Sequence, residues 1–109
     1  MDIIQIVEIV DDLVQRKDPH YKEFLRKQSM SAGIYALPKG SKDEQEPHTE
    51  DELYFVLKGK AQIEIDGQSQ PVSHGSAIFV AAGVPHRFKA IEEDLVILVV
   101  FAPAEGTVQ

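Results

Sequence analysis

The stretch EPHTEDELYFVLKG (residues 46–59) joins four acidic residues and one histidine to an apolar run that ends at a glycine. The run from Leu53 to Leu57 is rich in branched and aromatic residues, which is typical of a β-strand that contributes to a core. Charged side chains are rarely buried without partners. Taken alone, such an acidic run is most often a solvated loop, and only its spacing to Gly40, Gly59 and His86 favours a ligand site.

From residue 32 onward the chain consists of short apolar runs separated by turn residues. The runs are residues 32–37, 53–57, 61–65, 77–81, 87–90 and 95–101. Such regular spacing is typical of an antiparallel sandwich or barrel. The pair Asp66-Gly67 between two of the runs predicts a two-residue hairpin, because a type I′ turn needs positive φ at both central positions. We therefore predict an all-β fold.

The N-terminal part of the chain differs from the rest. Ile6, Ile9, Val10 and Leu13 recur at helical spacing and predict a short amphipathic helix that ends before Pro19. Residues 21–28 fit a helix and a strand equally well. We expect residues 1–30 to form this helix and a lead-in strand, residues 31–103 to form one barrel domain, and residues 104–109 to form a flexible tail.

Composition excludes several classes of function. The chain has 109 residues, no cysteine and a formal net charge of −7, so nucleic acid and anionic membrane surfaces are not expected partners. The N-terminus lacks a basic leader and a long apolar span, which favours a cytoplasmic protein. Residues 53–57 and 95–101 are apolar on both faces, and we expect a homodimer to cover part of this surface.

The acidic stretch and a later histidine form a candidate metal site. If residues 46–48 are extended, Glu46 and His48 point to the same side and can chelate one ion. Glu52 can join them only if residues 49–51 form a bend, and His86 can face His48 from an antiparallel strand. Two imidazoles with one or two carboxylates suit a divalent Mn, Fe, Zn or Ni ion.

Two segments of the sequence resemble the cupin superfamily over about residues 40–90. The first cupin motif is a glycine, five residues, H-x-H, three or four residues, a glutamate, six residues and a glycine. GSKDEQEPHTEDELYFVLKG (residues 40–59) matches it except that Glu46 replaces the first histidine. The second motif is a glycine, five residues, P-x-G, two residues, a histidine, three residues and an asparagine. GSAIFVAAGVPHRFKA (residues 75–90) keeps its spacing without the proline and the asparagine.

This resemblance implies a double-stranded β-helix, or jelly-roll barrel, with one metal in its interior. Carried over position by position, the ligands would be Glu46, His48, Glu52 and His86. Two alternatives stay open: Glu46 as a general base rather than a ligand, and a triad in which Glu50 replaces Glu52. His20 and His74 match neither motif and are expected at the surface.

The function that the resemblance implies is a metal-dependent enzyme, dioxygenase-like or isomerase-like, acting on a small polar organic molecule. The ion would act as a Lewis acid, and Glu46 or Tyr54 would transfer a proton. Two hypotheses compete with it. The chain can be a non-catalytic module that binds a small ligand with or without metal, or an interaction protein in which the motifs are remnants.

Overall fold

A computed structural model of the protein describes residues 1–107, which form one short helix and six strands. The elements are α1 (Ile6–Leu13), β1 (His20–Arg26), β2 (Ser31–Leu37), β3 (Asp51–Ile65), β4 (Gln68–Ser73), β5 (Ala77–Val80) and β6 (His86–Ala102). The predicted all-β fold with a short N-terminal helix is confirmed. None of the helical residues in the described range belongs to a segment long and apolar enough to cross a membrane.

The strands form one antiparallel sheet in the order β1-β2-β6-β3-β4, with β5 paired to β3. The two long strands β3 and β6 run beside each other and connect its parts. The first half of β3 also pairs with β5 and the second half with β4. Asp66 and Gly67 have φ values of 50° and 83° in the turn from β3 to β4, as the hairpin prediction requires.

Alternation along β3 separates the interior of the sheet from its outer face. Glu52, Tyr54 and Val56 are buried, whereas Leu53 and Phe55 are exposed. Most of the buried apolar residues form one cluster drawn from β2, β3, β4, β5 and β6. The interior therefore contains a polar group, Glu52, at the entry of a strand that is otherwise apolar on its inner side.

Helix α1 covers part of the outer face of the sheet. Its Leu13 packs with Ile34, Ala36 and Val96, which are all buried. The helix therefore covers the outer side of the strand at Val96. The sequence alone predicts a second subunit as the cover for part of residues 95–101. Residues 21–26, which fitted both a helix and a strand, belong to β1, because their backbone pairs with β2.

The end of the described chain lies against the sheet. Ala104 is buried, the backbone N–H of Glu105 donates to Ser31 Oγ at 2.9 Å, and Arg26 donates to the Glu105 carbonyl oxygen at 2.8 Å. Ala104 and Glu105, which belong to the predicted tail, therefore contact the sheet, and the division into residues 1–30, 31–103 and 104–109 stays a prediction. Residues 108 and 109 lie outside the described range.

Gly59 lies where the register between β3 and β6 shifts, and the backbones come very close there. Its φ is 102°, and a Cβ atom at this position would lie 2.3 Å from the carbonyl oxygen of Asp94. Gly40 also has a positive φ, 77°, but no heavy atom would lie within 4 Å of its Cβ. Replacing either glycine would strain the backbone, but only a side chain at position 59 would collide with the β6 backbone.

We predict that Gly59→Ala destabilises the protein more than Gly40→Ala. Each substitution costs about 1 kcal/mol for the left-handed backbone, and Gly59→Ala adds about 1–3 kcal/mol for the conflict with the β6 backbone. Urea unfolding of both variants and the wild type measures the difference. Equal free energies of unfolding for the two variants would contradict the close approach of the strands.

Candidate metal centre

A bend between His48 and β3 brings two candidate ligands together. Thr49 and Glu50 form this bend, and β3 begins at the next residue. As a result Nε2 of His48 lies 3.2 Å from Oε1 of Glu52. The bend that the sequence argument required for Glu52 to take part is therefore present.

His86, the first residue of β6, completes the group from the opposite strand. Its Nε2 lies 2.8 Å from Oε2 of Glu52, and the side chains of both residues are 1% exposed. The ligand atoms of His48, Glu52 and His86 all lie within 4.8 Å of one another. This group has the composition of two imidazoles and one carboxylate.

The orientation of His86 suits a ligand that binds through Nε2. Its Nδ1 lies 2.9 Å from the carbonyl oxygen of Val84. A carbonyl oxygen only accepts hydrogen bonds, so Nδ1 carries the hydrogen and Nε2 faces Glu52. Burial alone would lower the pKa of His86, but the hydrogen bonds to Glu52 and Val84 outweigh it and raise the pKa.

The carboxylate of Glu52 provides a direct test of whether the site fits a metal. Its Oε1 is buried and has no hydrogen-bond partner within residues 1–107, although Nε2 of His48 lies 3.2 Å away. A buried polar atom without a partner is costly. The distances from Glu52 oxygens to the two histidine nitrogens are 2.8 and 3.2 Å. The ligand atoms of all three residues lie within 4.8 Å of one another, close enough for one divalent ion to contact each of them.

Tyr54 lies inside, as the alternation along β3 predicts, and contacts the ligand group. Its hydroxyl is 3.0 Å from Oε2 of Glu52 and 2.9 Å from Nε2 of His86. Burial, followed by the charge and hydrogen bond of Glu52, raises the pKa of Tyr54 far above its usual range. Tyr54 therefore keeps its proton near neutral pH and serves as a hydrogen-bond donor.

The structure does not bring Glu46 or Glu50 into the ligand group. Glu46 is exposed, and residues 41–48 form no strand, so the alternation that placed Glu46 beside His48 does not apply there. Glu50 is buried and accepts a hydrogen bond from Thr49. The role of Glu46 as a ligand or a base stays a prediction.

A cavity of about 190 Å³ opens beside the ligand group. Its walls are largely aromatic and include Tyr21, Tyr35, Tyr54 and Phe101. His48 also lines it, with its ring 4.9 Å from that of Phe101 between centroids. The cavity and the ligand group therefore share His48, and Tyr54 contacts both, so that a molecule in the cavity would lie next to a bound ion.

Two polar groups in this cavity were not found by sequence reasoning. The hydroxyl of Tyr21 is buried and has no hydrogen-bond partner among the described residues. Glu105 places Oε2 3.5 Å from Nδ1 of His48, and burial raises the pKa of Glu105 while His48 opposes the shift. Tyr21 and Glu105 lie near opposite ends of the chain, outside the two motifs, and only the folded structure brings them into one cavity.

Comparison with known proteins gives a consistent result. The family model described as "Cupin domain" matches residues 33–101. The uncharacterized protein SCO3923 of Streptomyces coelicolor is 49% identical over 89 residues, covering 82% of this chain and 85% of that protein.

Solved structures with a similar fold are more distant in sequence. An RmlC-like cupin from Methanocaldococcus jannaschii, described as a double-stranded β-helix, superposes with a TM-score of 0.72 at 18% identity, covering 81% of this chain and 83% of that one. The DMSP lyase DddQ from Ruegeria pomeroyi superposes with a TM-score of 0.73 at 21% identity, covering 78% of this chain and 47% of that one. The predicted double-stranded β-helix is confirmed.

We expect the wild-type protein to bind about one equivalent of a divalent transition metal and Glu52→Gln to lose it, because the amide keeps the side-chain shape but removes the charge. His74→Ala is the matched control, since His74 is exposed in a turn. Elemental analysis of protein purified without chelator or affinity metal measures the content. Equal metal content in Glu52→Gln and wild type would contradict the site.

Proposed function

The chain belongs to the cupin domain family, and from this premise we propose that it is a metal-dependent enzyme acting on a small polar organic molecule. The observation that carries the proposal is the convergence of His48, Glu52 and His86, two of them buried, beside a cavity of about 190 Å³. Buried ligating groups next to a cavity are a frequent arrangement of enzyme active sites.

His48, Glu52 and His86 would hold the ion, and their mixed nitrogen and oxygen donors suit Mn, Fe, Zn or Ni. A bound ion would supply Lewis acidity to the oxygens of a substrate. Tyr54 would donate a hydrogen bond or a proton from its hydroxyl to a group beside Glu52. A dioxygenase-like and an isomerase-like reaction are both compatible with this arrangement.

The cavity suits a small substrate. Its volume of about 190 Å³ accommodates part of a small organic molecule, and its open side leaves room for the remainder. The hydroxyl of Tyr21 has no hydrogen-bond partner in residues 1–107, and we expect it to donate to an oxygen of the substrate. The aromatic walls would contact the carbon skeleton.

The second candidate is a non-catalytic module that binds a small ligand with or without metal. It is favoured by the hydrogen bonds among Tyr54, Glu52 and His86, which hold the group together without an ion. The cavity beside them is formed by side chains from several strands and does not depend on metal binding. Turnover separates the two candidates.

We predict that the protein loaded with Fe(II), Mn(II), Ni(II) or Zn(II) converts at least one member of a panel of small hydroxy acids, oxo acids and sugar derivatives. NMR of the mixtures, with and without dioxygen, detects any product, and Glu52→Gln is the inactive control. Ligand-induced shifts without product for every panel member would favour the binding module.

We also propose that the chain forms a homodimer through the outer face of β3 and β5. Leu53 and Phe79 are paired neighbours there and are 48% and 62% exposed, and Phe55 on the same face is 40% exposed. A two-fold axis would let the same apolar surface cover itself in the partner. The cytoplasmic location stays a prediction.

We predict that Phe79→Glu shifts the protein from dimer to monomer, because the new charge lies at the centre of this apolar surface. Val7→Glu introduces the same charge on helix α1, where Val7 is 71% exposed and is not one of the three residues of the proposed surface, and should leave the dimer intact. Light scattering across a dilution series measures the mass. A wild-type monomer at all concentrations would contradict the proposal.

A further inference from the structure

The side chain of Gln45 lies against the candidate ligand group. Its Oε1 is 3.2 Å from Nε2 of His48 and 3.2 Å from the hydroxyl of Tyr54. Neither cupin motif specifies which residue stands at position 45, and the neighbouring Glu46 is exposed. The group of nitrogen and oxygen atoms around Glu52 thus has a further oxygen at its edge.

Asp43 fixes which end of the Gln45 amide faces the site. Gln45 Nε2 donates to Asp43 Oδ2 at 2.7 Å, and the backbone N–H of Phe88 donates to the same oxygen at 2.8 Å. The other oxygen of Asp43 accepts the hydroxyl of Tyr35 at 2.8 Å. A carboxylate only accepts, so a reversed amide would place two oxygens against each other. The carbonyl oxygen of Gln45 therefore faces His48.

The network that orients Gln45 is itself buried. Asp43 is 5% exposed and connects the loop before β3 to β6 and to β2 through its three donors. The hydrogen bonds of Asp43 therefore hold Gln45 against the ligand group, although residues 41–48 form no strand. Rigid support of this kind is characteristic of residues around metal ligands.

We propose that Oε1 of Gln45 is the fourth protein donor to the metal, together with His48, Glu52 and His86. This inference rests on the proposed metal-dependent function. With a neutral amide in fourth place, the ligand set has one negative charge, whereas a second carboxylate from Glu46 would give it two. A divalent ion held by this set keeps a net positive charge, which favours binding of an anionic or strongly polar substrate oxygen.

Metal affinity and the electronic spectrum of bound Co(II) test the assignment. Gln45→Leu keeps the side-chain size but removes the donor, and Glu46→Leu makes the matched change at the adjacent exposed carboxylate. We expect Gln45→Leu to weaken Mn(II) binding by at least about 10-fold in calorimetric titrations and to alter the visible Co(II) bands. Glu46→Leu should leave both unchanged.

Gln45→Ala, which removes more of the side chain, provides a second variant if Gln45→Leu does not fold, and circular dichroism checks both. Wild-type affinity and an unchanged Co(II) spectrum in the Gln45 variants would overturn the inference while the metal function stands. Loss of binding in Glu46→Leu alone would overturn it in favour of Glu46. Absence of metal binding in the wild type would overturn the proposed function and this inference with it.

Discussion

The site depends on the burial of the Glu52 carboxylate, whose side chain is 1% exposed on the inner face of β3. Transferring such a group out of water is costly unless donors or a cation surround it. His86 meets one of its oxygens from the opposite strand, and Tyr54 meets the same oxygen from two residues further along β3. The other oxygen of Glu52, Oε1, lies near His48 and accepts no hydrogen bond from the described residues. The position that an ion would fill is thus defined by one incompletely satisfied buried acid.

Much of the fold could be predicted because local patterns decide it. The alternation that puts Tyr54 and Val56 inside, and the Asp66-Gly67 turn that pairs β3 with β4, depend on residues close together in sequence. Residues 21–26 could not be assigned, because only their pairing with β2 makes them a strand. The cover over Val96 likewise depends on where α1 packs, which no local pattern specifies.

The difference between local patterns and long-range packing also explains which site residues could be predicted. His48, Glu52 and His86 could be found from their spacing to glycines, since the bend and the strand starts are local features. Gln45 could not, because a neutral amide in an acidic run gives no signal, and its orientation depends on Asp43 and on the distant backbone of Phe88. Glu46 would lie beside His48 only on an extended strand, and residues 41–48 form no strand.

The aromatic cavity and the ligand set are complementary in chemistry. Tyr21 and Phe101 offer apolar walls, and the Tyr21 hydroxyl has no partner in the described part of the chain, while the ligand group offers a charged end. A small molecule with a carbon skeleton and a few oxygens would satisfy both. This division between an apolar wall and a polar end is common in sites for small organic ligands, where few polar groups fix orientation.

The central claim is that one divalent ion binds among His48, Glu52 and His86. Anomalous diffraction from crystals grown with Mn(II) or Zn(II), recorded on both sides of the absorption edge of the metal, tests it most directly. We predict one strong interior peak about 2.0–2.2 Å from Nε2 of both histidines and from a Glu52 oxygen. Peaks only at exposed acidic side chains, with the interior position empty, would contradict the account.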